Sequence, residues 1–231
     1  MKKIILNLLV LSTALWAASF NEGDYAYNKG NYQDASKVWQ KKCNSGDSKS
    51  CNNLGVLYEN AQGVKKDYKK ASQLYKQACD QNKSDACYNL AILYQNGQGV
   101  KQNFAKTSEL FTKACDSGDA YACNNLGVLY KNGKGVKRNF TKASQLFNKA
   151  CASNIASGCY NLGVLYENAQ GLKQDYKKAK QLYQKACDSG DAHSCYNLGA
   201  LYKNGKGVIK DEKKANQLYE KACKDGGCSR K

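Results

Sequence analysis

Residues 115–123 read CDSGDAYAC, two cysteines eight positions apart around a short run of turn-forming residues. The arrangement recurs along the chain. Cys43 and Cys51, Cys79 and Cys87, Cys115 and Cys123, Cys151 and Cys159, and Cys187 and Cys195 repeat it, and Cys223 and Cys228 close the series with a shorter gap. The first members of these pairs follow one another at a step of 36 residues throughout. A fixed period of that length marks a repeat architecture, in which each unit buries its apolar face against its neighbours.

Each 36-residue row carries two helical patterns. In the row that opens at Cys51, the residues Cys51, Leu54, Leu57 and Tyr58 fall on one helical face. Tyr68, Ala71, Leu74, Tyr75 and Ala78 form a second such stripe, with Cys79 one turn beyond Tyr75. Asp67, Asn103, Asn139, Asp175 and Asp211 stand just before the second helix, where a short acceptor side chain caps free backbone N–H groups. Three residues after the first cysteine of each pair comes Gly46, Asn82, Gly118, Asn154, Gly190 or Gly226. Glycine and asparagine enter the left-handed conformation most easily, so each helix is expected to stop there, turn and restart antiparallel.

The first cysteine then lies in the last turn of one helix and the second in the first turns of the next. A disulfide between them, pairing the twelve cysteines in order, would clamp the hairpin between consecutive repeats and stabilise it by about 2 to 3 kcal/mol in the chain-entropy model. Cys223 and Cys228 are expected to bond as a C-terminal cap. Zinc is the competing use of such cysteines, but its structural sites favour close C-x2-C pairs, often with histidine, and His193 is the sole histidine. No metal or cofactor is expected. Gly55, Ala91, Gly127, Gly163 and Gly199 sit in the middle of the first helix, where glycine costs about 1 kcal/mol relative to alanine, so a close helix approach is predicted at that register.

The opening MKKIILNLLVLSTALWAASF places two lysines before an apolar run and small residues, which reads as a signal peptide over residues 1–19, cleaved after Ala17, Ala18 or Ser19. Export to the periplasm or medium is the expectation, and the even, regular cysteine count agrees with an oxidising compartment. No segment reads as a membrane span. The chain has 231 residues, no proline and a formal net charge of +17, with 36 basic against 19 acidic residues. Such charge solubilises the outward faces and favours contact with anionic cell surfaces. Nucleic acid is not an expected partner of an exported protein.

The run NLGVLY, the loop NGKGV and the second-helix pattern KAxxLYxKAC together resemble the Sel1-like repeat, a relative of the tetratricopeptide repeat with a longer inter-helix loop. With a cysteine pair in every row, the chain from about Phe20 onward is similar to the Helicobacter cysteine-rich proteins. The resemblance implies an all-α fold, a right-handed α/α superhelix or solenoid. Its expected divisions are a capping repeat at 20–50, Sel1-like repeats at 51–86, 87–122, 123–158 and 159–194, and a last repeat with cap at 195–231. It also implies an exported protein, with adaptor roles among relatives and a β-lactamase label on the family.

The residues themselves support binding over catalysis. No serine is followed by lysine three positions on, and S-D-N and K-T-G are missing, so the serine β-lactamase constellation is not written here. The loops NGQGVK and NGKGVK lack the G-K-S/T and the preceding strand of a phosphate-binding loop. Asn53, Asn89, Asn125, Asn161 and Asn197 recur beside the core stripe of the first helices, where a ladder of amides would hold an extended peptide backbone or bond neighbouring loops. Tyr88, Tyr160 and Tyr196 vary among the rows on the same face, together with Glu59, Gln95, Lys131, Glu167 and Lys203, and are candidate specificity residues. The expected ligands are peptides, proteins or peptidoglycan fragments held on the concave face, with β-lactam hydrolysis as the alternative. Asn82, in DQNKS, is either a glycosylation acceptor or a helix-terminating residue.

Overall fold

A computed structural model describes residues 22–224, and all twelve elements within them are α-helices. The expected leader at 1–19 and Cys228 lie outside the described residues. The described residues divide into two compact units, one ending at Gln102 and the other beginning at Asn103.

The first unit contains α1 (Glu22–Asn28), α2 (Tyr32–Asn44), α3 (Ser48–Asn60), α4 (Tyr68–Asp80) and α5 (Ser84–Asn96). The α1–α2 connection is short and turns through Gly30 at φ +78°. Ala35 and Trp39 of α2 pack with Leu54 and Leu57 of α3, and Tyr27, Tyr58 and Val64 close over that cluster. The second unit contains α6 (Phe104–Asp116), α7 (Ala120–Asn132), α8 (Phe140–Ala152), α9 (Ala156–Glu167), α10 (Tyr176–Asp188), α11 (Ala192–Asn204) and α12 (Glu212–Lys224). Here Ala143 and Phe147 of α8 meet Leu162 and Leu165 of α9, and Ala179 and Tyr183 of α10 meet Leu198, Leu201 and Tyr202 of α11. In both units, therefore, the second helix of one hairpin supplies the wall on which the first helix of the next is built.

Each second helix begins at a side-chain cap. Asp67, Asn103, Asn139, Asp175 and Asp211 accept from the backbone N–H three residues on, at 2.8 to 2.9 Å. The first helices are capped less evenly. Asp47, Asp119 and Asp191 accept from Ser50, Ala122 and Ser194 N–H, whereas Lys83 and Ile155 in the equivalent places make no side-chain cap. Hydrogen bonds from Ser50 hold the Asp47 carboxyl below the usual carboxylate range.

The mid-helix glycines make room for aromatic rings. A Cβ on Gly55 would fall 2.6 Å from the Tyr75 ring, and one on Gly127 the same distance from Phe147. The loop glycines serve a second approach. Gly135 and Gly207, at φ +69° and +67°, lie against the starts of α6 and α10, where Phe104 and Tyr176 leave no space for a side chain. The loop that looked superficially like a phosphate cradle is thus filled by the preceding repeat.

Five disulfides, Cys43–Cys51, Cys79–Cys87, Cys115–Cys123, Cys151–Cys159 and Cys187–Cys195, tie the end of one helix to the start of the next at Cα separations of 4.6 to 4.7 Å. Cys223 is also disulfide-bonded. The sulfurs are buried, so the clamps form part of the packed interior.

Candidate ligand-binding face

The first helices carry the predicted amide and tyrosine positions, and the two units use them differently. In the first unit, Asn53 on α3 borders an open cleft of about 310 Å³ with Asp24, Tyr27, Asn28, Trp39, Lys49 and Val56. The Trp39 side chain is 3% exposed, and its indole N–H has no hydrogen-bond partner among the described residues. Its ring lies 5.5 Å from that of Tyr27. Lys49 and Asp24 pair at 2.6 Å, so the cleft joins an apolar floor to an ion pair. Asn89 donates to Asn52 Oδ1 at 3.1 Å, a hydrogen bond between the amides of successive repeats, and Tyr88 beside it is half-buried. Asn82 is exposed at φ +63°, and its backbone N–H bonds Cys79 O, the geometry of a helix terminus.

In the second unit Asn161 donates to Asn124 Oδ1 at 3.0 Å and receives a long contact from Lys131 Nζ at 3.5 Å. Asn124 in turn approaches Asn125 Oδ1 at 3.4 Å. Asn197 lies near the Tyr183 hydroxyl and partly opposes the upward shift of that phenol. Tyr160 is half-buried between Tyr183 and His193, each 6.1 Å away by ring centroids, while Tyr196 stands 53% exposed and 5.0 Å from Tyr219. Part of the asparagine ladder is therefore spent on bonds from repeat to repeat. Asn53 and the tyrosine rings retain surface that a ligand can reach.

The variable position next to this face has a structural role that a reading of the sequence misses. Tyr75 donates its hydroxyl to Glu59, and Tyr183 donates to Glu167, both at 2.7 Å. Burial pushes both phenols far above their ordinary range, and the carboxylate acceptors add to the shift. The rows with Gln95 and Lys131 carry Phe111 and Phe147 where the others carry tyrosine. The pairing of Glu with Tyr, and of Gln or Lys with Phe, was available as a signal in the aligned rows. Only Lys203, with Tyr219, departs from it.

Chemically the face offers amides, aromatic rings and isolated charges. Among the described residues no group of three or more His, Cys, Asp or Glu side chains is gathered to hold a metal ion. None of the described helices is long and apolar enough to cross a membrane.

Antiparallel helix hairpins repeated at 36 residues, with a glycine loop seated on the preceding repeat, define an α-helical repeat protein of the tetratricopeptide-related class. The Sel1 repeat model matches residues 48–83, 84–119, 120–155, 156–191 and 192–227, and the chain belongs to the Sel1 repeat family. A Sel1 repeat protein from Oxalobacter formigenes superposes with a TM-score of 0.81 at 34% identity, over 89% of this chain and 84% of that one. The structure of c5321, described as a protective antigen of uropathogenic Escherichia coli, also gives 0.81, at 28% identity over 85% of this chain and 42% of that one. HcpE of Helicobacter pylori, which bears a provisional beta-lactamase name, is 41% identical over 63 residues. That stretch is 26% of this chain and spans only 18% of HcpE.

Proposed function

We propose that this protein is an exported, noncatalytic binding module whose first-helix faces hold extended peptide segments of proteins or cell-wall fragments. The observation that carries the reading is the cleft at Asn53. It sets the half-buried amide of Asn53 beside an aromatic wall and an ion pair, the mixture of apolar area and few polar groups that suits a peptide or a small glycopeptide. The disulfides support export, because they persist in oxidising compartments. The division into a capping repeat at 20–50 and rows beginning at 51, 87, 123, 159 and 195 belongs to this proposal.

Once the proposed leader with Trp16 is cleaved, Trp39 is the sole tryptophan, so its emission in the exported protein reports on the cleft. Titrating the oxidised protein with muropeptides and with a library of extended peptides should give a saturable change in that emission. Asn53→Ala should weaken binding about fivefold, the loss of one neutral hydrogen bond of ~1 kcal/mol. A flat titration with every ligand class would overturn the reading. So would turnover of a chromogenic cephalosporin that persists after contaminating enzyme is removed, in favour of the hydrolase implied by the name of HcpE.

A further inference from the structure

The loop edge of the second unit combines two features that the peptide-binding face does not use. The first is charge. Residues 173–180 and 206–214 hold eight lysines against three carboxylates. Two of those carboxylates are engaged, Glu212 with Lys210 at 2.8 Å and Asp175 with Lys178 at 4.0 Å, and Asp211 serves as a helix cap. The two segments adjoin, because Gly207 of the loop packs on Tyr176 at the start of α10. Lys206 rests over the Tyr176 ring at 5.4 Å and Lys214 over the Tyr202 ring at 4.5 Å, so these ammonium groups are held on rigid aromatic supports.

The second feature is one aliphatic side chain. Ile209 is 91% exposed, the highest among the large apolar residues left outside the core. The equivalent positions in the other repeats are Lys65, Lys101, Lys137 and Lys173. Val208 beside it is half-buried, and both border an open hollow of about 780 Å³ with Lys180, Lys210 and Lys214 and with the capping Asp211 and the paired Glu212. A single aliphatic tip with a rim in which lysines outnumber carboxylates does not make the broad apolar patch of a protein interface. It fits the boundary between lipid headgroups and acyl chains, where apolar side chains enter and lysines meet phosphates.

We infer that this edge, centred on the 205–211 loop, docks on an anionic phospholipid surface, with Ile209 entering the interface and Lys206, Lys210, Lys214 and Lys180 facing the lipid phosphates. The inference stands apart from the peptide-binding proposal and uses other residues.

The test turns on the sign of one substitution. Oxidised protein recovered after export is sedimented with phosphatidylglycerol–phosphatidylcholine vesicles and with pure phosphatidylcholine vesicles at 0.1 M salt, beside the variant Ile209→Lys. That variant adds a positive charge and copies the residue of the other repeats. If the isoleucine inserts, the variant partitions about threefold or more weaker in spite of its added charge; attraction by charge alone would make it partition more strongly. Lys206→Glu with Lys210→Glu should lower partition more than tenfold, since each basic residue near an anionic surface is worth roughly a fivefold factor. Ile209→Trp should show blue-shifted emission that brominated lipids quench. Equal or stronger partition of Ile209→Lys, no preference for phosphatidylglycerol, or retention on a soluble polyanion without vesicle binding would each overturn the inference. Circular dichroism of each variant verifies that the exposed loop change leaves the helices intact.

Discussion

At the scale of single residues, Tyr75 shows how far the rows can be read and where reading stops. Its place on the second-helix stripe follows from spacing, and it is fully buried as that spacing predicts. Its hydroxyl partner does not follow, because Glu59 lies sixteen positions earlier and their meeting depends on how α3 and α4 are rotated. Glu59 therefore reads in sequence as a variable surface residue. Since the folded phenol ionises well above the ordinary value near 10, its contribution to stability is complete below about pH 10 and is lost as pH rises beyond it. Tyr75→Phe should cost about 1 kcal/mol at neutral pH through the lost hydrogen bond. It should also make the fall in unfolding free energy between pH 9 and 10.5 shallower than in the parent, as read from urea titrations at each pH. An unchanged alkaline slope would remove Tyr75 from that account.

At the scale of elements, the helix ends were legible where a single residue decides them and illegible where two act together. Asp67 and its counterparts announce the second helices, and all five cap as their position implies. The turn inside the cysteine pairs comes in two forms. Gly46, Gly118 and Gly190 precede Asp47, Asp119 and Asp191, which cap the next helix; Asn82 and Asn154 precede Lys83 and Ile155, which do not. Both forms supply the left-handed residue, so the hairpin closes either way, but α5 and α9 begin without a cap. Lys83→Asp should supply the missing acceptor and raise stability by about 0.5 to 1 kcal/mol, with Lys83→Ala as the control for the exposed Lys83–Asp85 ion pair. Equilibrium denaturation of the two variants gives the comparison, and a gain equal in both would assign the effect to the lysine instead of the cap. The asparagine ladder shows the opposite case. Its recurrence was evident, but bonds such as Asn89 to Asn52 depend on the stagger of adjacent hairpins, which no single row encodes.

At the scale of the whole molecule, the regular step of the cysteines sets an energetic expectation that no single repeat reveals. A hairpin that meets only its neighbours has few long-range contacts to hold it, so its stability is close to a local sum. Each clamp closes a loop of sequence separation 8 and contributes about 2 to 3 kcal/mol in the chain-entropy model. Five such terms come to on the order of 10 kcal/mol, which is comparable to the entire stability of ordinary domains at about 5 to 15 kcal/mol. Replacing one pair, Cys115→Ser with Cys123→Ser, should therefore lower stability by about one clamp and leave a folded protein. Reducing all pairs together should remove most of the margin, so that the helical circular dichroism signal melts at or near ambient temperature. Thermal melts with and without a strong thiol-free reductant make the measurement. Melting points within a few degrees of each other would mean that helix packing alone sustains the repeats, and that the sulfur bridges serve chiefly to fix the angle at each turn.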